Sequence, residues 1–323
     1  MADADSGPRL TPQESPRAVE SLRRLRSLPR RRPAFVTAAG TLLVAAALAF
    51  ALAGKWDEFV VALGAAPLWI LGMAAVLHLL WLVARSEAWH VCVDAADGTV
   101  PRRRLYRAAS LGYLGNLFNA NFGVAVRIAA LRRSAPDESP PVSTLVAAEF
   151  PIIVVEAALA ALMSFTLVGP LGLPWWFPLA GFAGMCLVLS GLRLVARNRR
   201  SGFWKGLAVL RGLAGRNRIV AIVFFALTAQ VVRNWLLLNG MGIDATVFDA
   251  IALLIGLAVI GFLPVGPSLG AAAAVIVLGT NGVAATAAAG ALLTATAVLG
   301  ALAFAVWALV DRLRPQPSVG SAG

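Results

Sequence analysis

The sequence predicts an all-α integral membrane protein, and three observations carry that prediction. Of 323 residues, 59% are apolar and only 14% are charged, whereas soluble domains carry about 25% charged residues. Apolar runs long enough to span a bilayer, about 17 to 25 residues, recur along the whole chain. Lys and Arg gather between those runs rather than inside them, which is how cationic loops orient a membrane protein.

Six runs read as full spans: Ala34 to Ala53, Pro67 to Ala84, Val142 to Val168, Trp175 to Ala196, Ile219 to Asn239 and Val283 to Val310. Two further apolar regions, Leu105 to Val126 and Phe248 to Thr280, are interrupted by Gly, Pro or Asn. Residues 1–33 are rich in Pro, Ser and Arg without apolar periodicity, and read as a disordered basic tail on the cytoplasmic side. The first apolar run is too long for a signal-peptide core of about 7 to 15 residues, so an uncleaved first span is expected. Residues 313–323 form a short tail, and the membrane domain covers 34–312, in halves 34–169 and 174–312.

Of the 28 Lys and Arg, 26 fall in five clusters: before residue 34, Arg85 to Arg107, Arg127 to Arg133, Arg193 to Arg218, and Arg312 with Arg314. Lys55 and Arg233 are left over. With the clusters cytoplasmic, both termini lie inside a bacterial-type plasma membrane, and Leu105 to Val126 enters and leaves on one face as a re-entrant segment. Phe248 to Leu263 and Ser268 to Asn281 would each give only about 21 to 24 Å of helix, against a hydrocarbon core of about 30 Å. A second re-entrant segment is therefore expected, turning at "FLPVGPSLG" through Pro264, Gly266, Pro267 and Gly270. Each half then reads span, span, re-entrant segment, span, with opposite orientation: an inverted repeat that sets a substrate site near the midplane.

The stretch "NLFNANFGVAVRI" carries Asn116, Asn119, Asn121 and Gly123 because backbone that leaves helical geometry in lipid needs polar partners. Gly112, Gly115 and Gly123 permit close helix approach. Arg233 lies within a span and needs a partner. Glu149 and Glu156, seven residues apart, would share a helix face and could pair with Arg233 or Arg127. Arg127 offers a planar fork to phosphate oxygens but also opens a basic segment. His78 is either a hydrogen-bonded structural residue or a proton-coupling group.

Several classes of function lose ground on composition. The net charge of +12 suggests nucleic acid, but the basic residues flank apolar spans and specify orientation instead. Cys92, read as part of a charged loop, and Cys186, within a span, are far apart and lack any metal-ligand spacing, so no disulfide, metal or cofactor is expected. The carboxylates Asp57 and Glu58 after the first span are the candidate base for a polyprenyl-phosphate-sugar glycosyltransferase, yet their loop offers little acceptor surface. The chain is not expected to be an enzyme. The segment "GFWKGLAVLRGLAG" reads as a short helix in the headgroup plane.

The order of these features resembles the lysylphosphatidylglycerol synthase transmembrane-region family, flippase-like membrane proteins, over roughly residues 34 to 312. Asn116 with "GVAVR", Gly123 to Arg127, is similar to that family's Asn followed by Gly-acid-x-x-Arg. Glu149 in "VAAEFPIIVVE" resembles its early acidic residue in a span, and "LPVGPSLGAAA" resembles its late Pro/Gly loop. Val124, Ala120, Phe150 and Ala273 stand where the family carries an acid, a proline, an arginine and an acid. The resemblance implies movement of lipids or lipid-linked headgroups between leaflets, with membrane lipids and a lipid-modifying enzyme as partners. A divergent member that has lost transport and serves as a partner of an envelope-modifying enzyme is the alternative.

Overall fold

The computed structural model describes residues 42–43, 46–96, 100–117, 120–134, 139–198, 213–261, 269–279 and 282–314. The described residues contain helix and no strand. In chain order the helices are α1 (Trp56–Ala65), α2 (Leu68–Asp94), α3 (Arg102–Asn116), α4 (Ala120–Ser134), α5 (Val142–Ala147), α6 (Phe150–Met163), a 3-10 turn (Ser164–Leu167), α7 (Val168–Leu171), α8 (Phe177–Asn198), α9 (Leu213–Gly240), α10 (Val247–Gly261), α11 (Leu269–Leu278) and α12 (Val283–Leu313).

Four described segments are long and apolar enough to cross a membrane: Leu68–Asp94, Val142–Leu171, Gly215–Gly240 and Val283–Leu313. They contain four of the six expected spans. The fifth, Trp175 to Ala196, is α8, whose apolar stretch Phe177–Leu192 is shorter, and half of the sixth, Ala34 to Ala53, lies outside the described residues. Leu68, Trp69, Leu187, Phe224 and Leu309 are exposed while Ser86, Thr286 and Asn234 are buried. That arrangement suits a lipid solvent, in which apolar side chains outside cost nothing and polar ones must find partners within.

Local chemistry sets the breaks. Pro151 has no N–H to continue a helix from α5, so α6 restarts after a turn at Ala148 and Glu149. Glu149 itself caps α6, its carbonyl accepting from the Ile153 N–H, so the break precedes Glu149 and Glu156 follows it on the same helix. The connection before α2, expected as loop, is the ten-residue helix α1, with Asp57 and Glu58 in its first turn.

Helices α2 and α9 run antiparallel, with Ile70 against Gly240 near one end and Glu87 against Arg218 near the other. The two 15-residue helices α3 and α4 form an antiparallel hairpin, with Gly112 against Gly123 and Arg127, and Gly115 against Gly123. At Gly123 the missing Cβ matters most, because an added one would meet the Asn116 side chain and the Gly112 carbonyl. Each hairpin helix rises about 22 Å. Helix α11 packs on α10, with Gly256 against Val277, and on α12, with Gly270 against Gly290.

Two apolar clusters lie at opposite ends of the α2–α9 pair. One joins Ile70 and Ala74 of α2 to Leu237 and Leu238 of α9 and to α10 and α11 through Leu253, Ala273 and Leu278. The other joins Trp89 and Cys92 of α2 to Ile219 and Val223 of α9 and to α3 and α4 through Leu105 and Leu131. Cys92 is thus a buried helical residue and not part of a charged loop, and Cys186 is exposed on α8; both thiols are free. The contacts repeat between the halves of the chain: α2 packs on α3, α6 and α12, while α9 packs on α10, α12 and α6.

Basic side chains collect at one end. Glu87 of α2 accepts from Arg102 of α3 at 2.8 Å and from Arg218 of α9 at 3.1 Å. Arg107 of α3 donates to Asp311 of α12 at 2.6 Å. Tyr106 donates to Glu87 at 2.8 Å, and burial pushes its phenol up to about 12, so it remains a donor at neutral pH.

Candidate functional site

Between the two apolar clusters, the α2–α9 pair carries a belt of polar side chains: His78, Arg85 and Ser86 on α2, and Gln230, Arg233 and Asn234 on α9. Ion pairs and hydrogen bonds divide this belt into two networks, joined by the ring of Trp81.

The first network is closed by carboxylates. Arg127 of α4 donates from Nη2 to Glu149 and sits 4.2 Å over the Trp89 ring, with both charged side chains buried. Arg85 of α2 donates from Nη1 to Glu156 of α6 and faces the Trp81 ring at 5.7 Å. Ser86 donates to the Leu82 carbonyl, and its hydroxyl lies 3.4 Å from that of Tyr113. Stacking on indole and pairing with carboxylate both favour a guanidinium, whose planar fork meets the two at once.

The second network has no carboxylate among the described residues. Arg233, 4% exposed, donates from Nη1 to Gln230 Oε1 at 3.0 Å, from Nη2 to Thr296 Oγ1 at 2.7 Å, and from Nη2 to the Leu293 carbonyl. Its Nε is buried without a partner among the described residues, as is that of Arg127. Gln230 Nε2 lies 3.3 Å from His78 Nδ1, and the His78 ring is 5.1 Å from Trp81. Glycine at 300 lets α12 press against the His78 ring, since a Cβ there would lie 2.9 Å from Cδ2. Neutral oxygens stabilise a guanidinium less than a carboxylate does, so this buried cation keeps unused electrostatic capacity.

The structure therefore brings together part of the set expected from sequence. Arg127, Glu149, Glu156, His78 and Arg233 all face the belt, but neither glutamate pairs with Arg233. Asn116 is exposed at the end of α3 with its amide oxygen against Gly123. Asn121 falls in α4 with its side chain outside the described residues, and Asn119, Pro264, Gly266 and Pro267 lie outside them, as does most of the expected interfacial helix. Gly270 is buried against Gly290 and Thr294 of α12. Asp57 and Glu58 are exposed in the first turn of α1, where carboxylates oppose the helix dipole. Four groups escaped the sequence reading: Arg85, Gln230, Thr296 and Trp81. Gln230 had one legible signal, being an amide three residues before a buried Arg on the same face.

No family model matches this chain, and no curated protein or solved structure matches it.

Proposed function

We propose that this protein moves an anionic, phosphate-bearing lipid headgroup between the leaflets of the membrane, with Arg233 as the group that holds it. One observation carries the reading: a buried arginine sits between two apolar clusters with only neutral partners. An ionised Arg at the centre of a bilayer costs about 2.5 to 3.5 kcal/mol on insertion scales, and a structural role would be served at lower cost by an apolar residue. Retaining the cation makes sense where an anion visits it.

The inverted repeat supplies the setting. The α3–α4 hairpin and the packed helices α10 and α11 lie at opposite ends of the α2–α9 pair, as two re-entrant elements dipping from opposite faces would. With the basic end cytoplasmic, both termini lie inside, and the acyl chains stay in lipid while the headgroup crosses through the belt. The likeness to the lysylphosphatidylglycerol synthase transmembrane region agrees with this reading.

A second reading, a non-transporting partner of a lipid-modifying enzyme, has its own support. Positions where that family carries acids hold packed apolar groups here, Val124 against one cluster and Ala273 within the other. Arg127 and Arg85 are also already neutralised.

Reconstituted into vesicles with fluorescent phosphatidylglycerol, the protein should speed transbilayer exchange. Arg233→Gln should slow it by about tenfold or more, corresponding to about 1.4 kcal/mol of lost headgroup binding. Equal exchange in protein-free vesicles, wild type and Arg233→Gln would exclude transport of this lipid and favour the partner role.

A further inference from the structure

We propose that the Arg233 site takes up a proton together with its anion, with His78 as the proton acceptor and Gln230 as the group that couples the two. This rests on the reading of Arg233 as an anion site.

The orientation of Gln230 follows from chemistry. A guanidinium has donors and no acceptor, so the Gln230 atom 3.0 Å from Arg233 is the amide oxygen. The amide nitrogen must then face His78 Nδ1, at 3.3 Å. An amide NH2 donates, so Nδ1 presents its lone pair, and His78 is neutral with its proton on Nε2. While Arg233 holds Gln230 this way, a proton on Nδ1 would point at another donor.

An oxyanion at Arg233 reverses this. Once its oxygens accept from the guanidinium, the Gln230 carbonyl is released and the amide can turn over. Its nitrogen then donates to the anion and its oxygen faces His78. A proton from water now binds Nδ1 and donates to Oε1, leaving hydroxide to the bulk buffer. Charge favours the same outcome: the empty site holds Arg233 alone, and the loaded site holds Arg233, a singly charged phosphodiester and a His78 cation. Net charge is equal in the two states, so loading adds no net charge to a low-dielectric belt.

The surroundings of His78 support this pairing. Helix α9 presents Gln230 and, behind it, Arg233. Helix α12 presents Gly300 and the Thr296 hydroxyl already bound to Arg233. On α2 itself the neighbour is the Trp81 ring, beyond which lie Arg85, paired with Glu156, and Tyr113 of α3. No described carboxylate contacts His78, so the charge balance there is set by Arg233 and whatever it holds.

The test is calorimetric titration of the full chain in neutral detergent at neutral pH. One arm uses phosphatidylglycerol in mixed micelles and the other diethyl phosphate, a small phosphodiester that does not itself titrate in this range. Each is run in two buffers of different ionisation heat, which gives protons exchanged per anion bound. Wild type should take up close to one proton per anion, about the linkage expected of a single coupled group, and bind more tightly as pH falls. His78→Gln, which keeps a neutral acceptor for Gln230, should still bind and take up none, and Arg233→Gln should lose binding. Uptake in the lipid arm alone assigns the oxyanion to a headgroup, and uptake in both arms to any small phosphodiester; either supports coupling. No binding in either arm, binding without a proton, or unchanged uptake in His78→Gln overturns it. Linked uptake without lipid exchange in vesicles defeats the transport reading and leaves this site standing; exchange without linked uptake does the reverse.

Discussion

Arg85 and Arg233 occupy matching positions in the two halves of the chain. Each leaves a long helix of its half, α2 or α9, and reaches the last span of that half, α6 or α12. In the first half the group that meets it is the Glu156 carboxylate; in the second it is the Thr296 hydroxyl, with a backbone carbonyl and an amide beside it. The same geometry thus yields one self-neutralised cation and one that is not. Lipid-buried charge is tolerated where it is paired or where it has work to do, and on the proposed function the first half serves structure and the second binding.

The largest effect should come from breaking the closed half. Arg127 and Glu149 are both buried, and Arg127→Ala strands a carboxylate among Trp89, Leu131 and Ile152. Loss of one partner of such a pair costs about 3 to 5 kcal/mol, so thermal unfolding in detergent should show a variant barely folded or not at all. Adding Glu149→Leu should restore most of that stability, and a double-mutant cycle gives the coupling directly. Equal damage in single and double variants would mean that Arg127 is needed for something other than its partner.

A smaller and more pointed change gives the second half what the first possesses. Thr296→Glu sets a carboxylate against Arg233 where Glu156 stands against Arg85. A charge-assisted hydrogen bond in place of a neutral one should raise stability by about 1 kcal/mol while lipid exchange is lost, because the site now holds its own anion. A variant with lower stability and full exchange would dissolve the contrast between the halves.

Much of this was legible in the sequence, and the failures have physical causes. Apolar runs located Pro67 to Ala84, Val142 to Val168, Ile219 to Asn239 and Val283 to Val310 because lipid selects for continuous apolar length. The isolation of Arg233 was legible too, since a lone charge in such a run stands out. Arg85 was missed as a site residue for the opposite reason: it is the first charge after an apolar run, and hydropathy ends the span there. In fact α2 continues to Asp94, its last turns buried by the α3–α4 hairpin. Spacing along the chain could not say which glutamate meets which arginine, because that depends on the packing of α6 against α2. The contact between Gln230 and His78, 152 residues apart, left no local trace.

The smallest effect should come from a charge outside the belt, and it separates position from net charge. Arg218 donates to Glu87 at 3.1 Å, but its side chain is 60% exposed, and Glu87 keeps Arg102 at 2.8 Å and the Tyr106 hydroxyl when Arg218 is gone. An exposed pair with a redundant partner is worth less than about 1 kcal/mol, so Arg218→Ala should shift the melting temperature by no more than about 2 to 4 °C and leave lipid exchange intact. It removes the same single charge as Arg233→Gln. If it also stopped exchange, attraction of anionic lipid to a basic surface would suffice as the explanation, and the unpaired arginine of the second half would have no special standing over the paired one of the first.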